Sequence, residues 1–224
     1  MKEAEASRMD VRCFTGGNFA QNGYVAWCKA TGECVVVDPG AAALDMVAAI
    51  EAEASEVTAI LLTHAHLDHV EGLGVIRDHT DAPTYLHPAD REMFDNLPAQ
   101  AAMFGLSSPA LDPPEREFED GGSFRFGELA FKIIHTPGHS LGHVILHSED
   151  DGLVFAGDLL FAGSVGRTDL PGGDYQALFR SIREHVLTMP GETRLFTGHG
   201  PATTVEHERT TNPFLIPNYG GELA

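Results

Sequence analysis

The chain has 224 residues with 33 acidic against 14 basic side chains, a formal net charge of −19. That balance disfavours nucleic acid and anionic membrane as partners, because both need basic surface. A hydrophobic content of 43% with 21% charged residues is that of a globular chain and excludes wholesale disorder.

In chain order, the N-terminal MKEAEASRMD is acidic and lacks the apolar stretch of a secretory signal. VRCFTGG (11–17) and NGYVAWC (22–28) read as strands around a polar loop, and ECVVVDPG (33–40) as a strand closing on Pro-Gly. AAALDMVAAIEAEA (41–54) has helical spacing and strong helix formers. VTAILLT (57–63) predicts a buried strand, DHVEGLGVIRDH (68–79) a short helix, and APTYLHP (82–88) another strand ended by Pro88. Residues 89–122 carry Pro98, Pro109, Pro113 and Pro114 and predict helical turns and loop. SFRFGELAFKIIHT (123–136) predicts a hairpin around Gly127, followed by strands at HVILHS (143–148) and LVFAGD (153–158). DYQALFRSIREHVLTM (174–189) is the most amphipathic helical stretch, and TRLFTGHG (193–200) a last strand.

Strands interleaved with a few helices suggest an α/β chain of two packed sheets with helices outside, a four-layer αββα arrangement, as a single domain over residues 1–224. No run reaches the roughly 18 apolar residues of a membrane span. Cys13, Cys28 and Cys34 include no C-x-x-C pair, against a disulfide framework or a zinc ribbon. A cytoplasmic protein is expected, a monomer or small homo-oligomer.

Histidine and aspartate recur at strand ends far apart in the chain. His64, His66, Asp68 and His69 follow VTAILLT; His139 lies in TPGHS, Asp158 in FAGD and His199 in FTGHG. A lone histidine such as His79 or His185 is far more often a surface or satisfied residue, and Asp68 alone could be a helix N-cap. The joint pattern is different. His64, His66 and His139 would give three nitrogen ligands and leave a position open, as in a catalytic metal site. Asp68, His69 and His199 would give a second set, and Asp158 has two oxygens with which to bridge. Imidazole and carboxylate ligands suit two divalent ions, zinc first, with iron or manganese also accommodated.

THAHLDH, TPGHS, AGD and TGHG in this order resemble the metallo-β-lactamase-fold hydrolases, over residue 9 to about residue 216. Within them, GSVGRTDLPGGD (163–174) and GHGPATTVEHERTTNPFL (198–215) resemble the small glyoxalase II-like branch. The resemblance implies an αββα sandwich with two metals at the sheet edge. It implies His64, His66 and His139 on one metal, Asp68, His69 and His199 on the other, and Asp158 bridging. Glyoxalase II enzymes add a helical domain that holds glutathione; only residues 201–224 follow here, so glutathione recognition of that kind is not expected.

The reaction this predicts is hydrolysis of an acyl-thiol ester, S-lactoylglutathione or a related small molecule, by a water that two divalent ions activate and Asp68 holds in line. Metal and ligands do the acid–base work in this reading, so no serine or cysteine nucleophile is needed. Arg167 in GRTD is a candidate for a substrate carboxylate, weighed evenly against pairing with Asp169 or Asp174 to brace its loop. Asn22 and Tyr24 are candidates for the cleft rim. His135 and His143, flanking His139, are expected to support it or to pack in strands. The same fold serves persulfide dioxygenases, with one iron on a subset of these ligands, and lactonases. β-Lactamases of this fold usually replace the bridging aspartate, and a non-catalytic metal-binding protein ranks last.

Overall fold

The computed structural model describes residues 7–216. The elements, in order, are β1 Met9–Gly16, β2 Gln21–Cys28, β3 Cys34–Val37, α1 Ala43–Ala52, β4 Val57–Leu61, α2 Leu67–Val70, α3 Leu73–His79, β5 Thr84–Leu86, α4 Arg91–Asp95, α5 Leu97–Met103 and β6 Arg116–Glu117. The second half holds β7 Ser123–Phe126, β8 Leu129–His135, β9 Val144–Ser148, β10 Leu153–Gly157, β11 Leu160–Phe161, β12 Ser164–Val165, α6 Tyr175–Ser181, β13 Arg194–Thr197, β14 Thr203–Thr204 and α7 Val205–Thr211.

One sheet has the order β1-β2-β3-β4-β5-β6 and the other β14-β13-β10-β9-β8-β7. Their inner faces meet through Tyr24, Ala26, Val35, Val37 and Leu61 on one side and Phe131, Ile133, Leu146 and Phe155 on the other. The outer face of the first sheet, with Val25, Val36 and Ile60, packs against Met46 and Ile50 of α1, Leu73 and Ile76 of α3, and Phe94 and Leu97 of α4–α5. The outer face of the second, with Ile145, Val154 and Leu195, packs against Leu178 and Phe179 of α6 and Val205 of α7. This is the expected αββα sandwich. It explains why β2 is buried at every position: a strand covered on both faces has no solvent side.

The boundaries differ in places. The helix expected over 68–79 breaks into α2 and α3 at Gly72, whose N–H bonds Pro39 O at 2.9 Å. A Cβ there would lie 2.1 Å from Gly40 O, so the backbones approach as only glycine allows. The helix expected over 174–189 begins as predicted, with Asp174 capping Ala177 N at 2.9 Å. It then widens into a π-helical turn at Ile182–Val186. The strands β6, β11, β12 and β14 and the helix α7 were not expected.

Candidate metal centre

Strands β3 and β4 run parallel. In the second sheet β8 and β10 are both antiparallel to β9, and β13 is parallel to β10, so β8, β10 and β13 share a direction. The loops leaving these five strands meet where the sheets touch: Val144 N donates to Thr63 O and Asn22 N to Gly198 O, each at 2.8 Å. Carboxyl ends of parallel strands are where such sheets gather ligands.

All seven predicted ligands converge there. His64, His66 and His139 each present a nitrogen within 4.8 Å of the others, and His66 Nδ1 lies 2.8 Å from His139 Nε2. Asp68, His69 and His199 form a second group of the same tightness, with His199 Nε2 3.2 Å from Asp68 Oδ2. Asp158 stands between them. Its Oδ2 is 3.4 Å from both His139 Nε2 and His199 Nε2, and its Oδ1 is 3.2 Å from His69 Nε2.

These residues fit a pair of cations. His64 Nε2, His69 Nε2 and Asp158 Oδ1 are buried and make no hydrogen bond. Leaving such atoms unpaired costs about 1–3 kcal/mol each, and a cation would satisfy them. The opposite ring nitrogens are anchored. His64 Nδ1 contacts Thr63 Oγ1 at 3.0 Å, His69 Nδ1 contacts Asp38 Oδ2 at 3.0 Å, His139 Nδ1 contacts Arg167 O at 2.7 Å and His199 Nδ1 contacts Phe19 O at 3.0 Å. This outer bonding fixes ring tautomer and orientation, as metal ligands require.

A sequence model of the metallo-beta-lactamase superfamily matches residues 16–199. The chain belongs to that superfamily. It is similar to hydroxyacylglutathione hydrolase GloC of Haemophilus influenzae, 35% identical over 209 residues, 92% of this chain and 98% of that protein. Among solved structures it resembles the BLEG-1 B3 metallo-beta-lactamase, at 34% identity, TM-score 0.86, 95% of this chain and 100% of that one. It also resembles TTHA1623 in a di-iron-bound form, at 41% identity, TM-score 0.83, 91% of this chain and 100% of that one.

Charge in this metallo-β-lactamase-fold site is unevenly spread. Burial pushes His64 far down, with the neighbouring His69, His139 and His66 adding to the effect, and burial brings His66 to about 3. At His69 burial works against the proton, but Asp158 and Asp68 outweigh it and raise the group well above its usual value. His199 is raised to about 10, because its bonds to Asp158 and Asp68 overcome burial. Asp158 is held well below the carboxylate range: burial opposes this, and His69 outweighs it.

Several functional side chains carried no readable signal. Asp38 also groups with His64 and His69, but its oxygens already accept from Thr63 N at 2.7 Å, Thr63 Oγ1 at 2.6 Å and His69 Nδ1. It orients one ligand of each set, His69 directly and His64 through Thr63. Asp90, fully buried, accepts from Ala65 N, Ser140 Oγ and Gly142 N, tying the His64–His66 loop to the His139 loop. Gln100 accepts from Leu67 N and donates to Ala65 O. His143, placed beside the site as expected, accepts from Asp158 N at 3.1 Å and contacts Thr136 Oγ1 at 2.9 Å. His135 instead stacks on His87 and bonds Leu141 O.

The cleft over the ligands holds about 720 Å³. Asn22 and Tyr24 are not on its wall, which corrects the rim assignment. Both are buried in β2; Asn22 Nδ2 donates to Thr197 O and Gly200 O, and Tyr24 Oη to Thr197 O, so they pin the loop bearing His199. Arg167 does line the cleft. Its guanidinium is held by Asp169 in two bonds of 2.7 and 2.8 Å, the bracing arrangement of its two expected roles.

Proposed function

We propose that this chain is a metal-dependent hydrolase of acyl thioesters, a glyoxalase II-like enzyme working with two divalent ions, zinc first and iron or manganese as alternatives. The observation that carries it is Asp158 standing between two three-donor groups, with orphaned donor atoms in both. The similarity to GloC over 92% of the chain supports thioester chemistry. The partner is a small molecule met in the cytoplasm, without nucleic acid or membrane, by a monomer or small homo-oligomer; the acidic charge favours this reading. Among the described residues no helix is long and apolar enough to cross a membrane.

A bound pair of divalent ions would supply Lewis acidity toward a carbonyl oxygen and would lower the pKa of water. The chain's own residues supply the rest. No serine, threonine, cysteine or lysine lines the cleft among the described residues, so the nucleophile is water. Asp68, whose carboxylate His69 and His199 hold in the ionised form against burial, accepts the hydrogen bond that keeps this water in line with the acyl carbon. The water oxygen bonds that carbon, the carbon–sulfur bond breaks, and the proton passes to the departing sulfur. Acid and free thiol leave the site.

The test is elemental analysis of purified protein with a parallel activity screen. Two divalent ions per chain and thiol release from an acyl thioester are expected. One iron per chain with oxygen uptake on glutathione persulfide would replace the proposal with a dioxygenase. Turnover of a lactone or of a β-lactam without thioesterase activity would replace it with those hydrolases, the latter being the activity named for BLEG-1.

A further inference from the structure

The cleft wall is more apolar than a surface recess needs to be. Met103 is 65% exposed, Leu141 57% and Phe104 44%. All three line this one cleft, and only three further large apolar side chains stand as exposed among the described residues. Met93 and Leu170 extend the wall, and Phe19 closes one side with its ring edge-on to Phe104 at 5.1 Å. Large apolar groups gathered at a recess mark a binding surface, and the two methionines adapt to flexible chains.

The charge at the cleft points the same way. Its carboxylates are Asp68, Asp158, Asp90 and Glu92, and beside the ligand histidines its one basic side chain is Arg167. Asp68 and Asp158 belong to the metal ligands, and Asp90 is saturated by hydrogen bonds. Glu92 remains, and Arg167 is neutralised by Asp169. A thiol bearing carboxylates, such as glutathione, would find no uncommitted Arg or Lys among the described residues of the cleft wall and would face Glu92.

We infer that the substrate's acyl group is an uncharged aliphatic chain laid along Met93, Met103, Phe104, Leu141 and Leu170, and that its thiol portion needs no carboxylate. The inference deepens the thioester-hydrolase reading and rests on it for the reaction. It assigns these five side chains to recognition of the acyl group, apart from the seven ligand residues that would hold the ions beside the reacting carbonyl.

The test uses metal-loaded protein and two readouts. The first is kcat/KM for acetyl, butanoyl, hexanoyl and octanoyl thioesters of neutral N-acetylcysteamine, with S-lactoylglutathione alongside. Each added methylene should raise kcat/KM by about twofold to fourfold until the chain outruns the wall, and S-lactoylglutathione should fall below the hexanoyl ester. The second is calorimetric binding of the non-hydrolysable octyl thioether. Met103→Ser and Phe104→Ser, both at exposed positions, should each weaken it by about tenfold, and Leu44→Ser, exposed on α1 away from the cleft, should not. A flat chain-length series, or a preference for the glutathione ester, overturns the inference and leaves thioester hydrolysis standing. If no thioester is turned over but the thioether binds and Met103→Ser weakens it, the reaction fails and the apolar recognition holds. Neither turnover nor binding overturns both, and a dimer dissolved by Met103→Ser overturns the inference by assigning that wall to a second copy.

Discussion

Asp38→Asn isolates the outer bonding that the site depends on. In the native site Oδ1 accepts from Thr63 N, and Oδ2 accepts from both the Thr63 hydroxyl and His69 Nδ1. The backbone N–H cannot turn, so the asparagine keeps its oxygen there and presents its NH2 where Oδ2 was. Thr63 Oγ1 must then accept rather than donate, and it gives its own proton to His64 Nδ1, 3.0 Å away. His69 Nδ1 now faces a donor. Both rings are driven to the tautomer with hydrogen on Nε2, and those are the two orphaned nitrogens that face the cations. One ligand in each group is thus miswired by a change of one atom. Loss of such outer partners costs about 10–100-fold in metal affinity, or about 1.4–2.7 kcal/mol. The backbone does not confound the result: Asp38 sits at φ 48°, a left-handed conformation that asparagine tolerates. Competition against a chromophoric zinc chelator measures the affinity, and circular dichroism confirms the fold. A variant that holds both ions within threefold of the parent would refute the reasoning.

His66→Ala removes the nitrogen that faces His139 and should abolish both metal retention at that group and activity; unchanged metal content by elemental analysis would refute the assignment. The metal-free protein should be most stable toward urea near pH 6.5. His199, raised to about 10, adds stability that is full below 6.5 and fades as pH rises through 10. His66, lowered to about 3, with His64 and His143 also lowered, stays neutral when buried, so stability is lost as pH falls from 6.5 toward 3. The slope is about 1.4 kcal/mol per pH unit for each proton taken up on unfolding, and a stability rising steadily with acid would contradict it. Gly138→Ala places a Cβ 2.2 Å from Leu178 N at φ 138° and should cost about 3 kcal/mol or more; a melting temperature within a degree of the parent would show that α6 can shift away.

The part of the site that could be read from the sequence is the part built from scarce residue types used together. Histidines at 64, 66 and 69 with Asp68, followed by three more strand-end donors, have few reasons to coincide except a shared cation. The supporting residues are single polar side chains at turns, a pattern that every fold produces for ordinary reasons. Asp38 closes β3 as turn aspartates commonly do, and Asp90 follows a proline as helix-starting aspartates do. Only the approach of segments distant in sequence shows that Asp38 orients His64 and His69 and that Asp90 ties two ligand loops together. Asn22 and Tyr24 failed for a related cause. Polar residues in NGYVAWC suggest a wet rim, yet β2 is covered on both faces, so each polar group had to find an internal acceptor and found the carbonyls beside His199. Arg167 could brace or bind on composition alone, and a carboxylate two residues on satisfied it first. The short strands β6, β11, β12 and β14 are paired by neighbours rather than by their own propensity, and two residues cannot show a period. The sequence therefore exposes the groups that need each other for chemistry and hides those that need each other only through the fold.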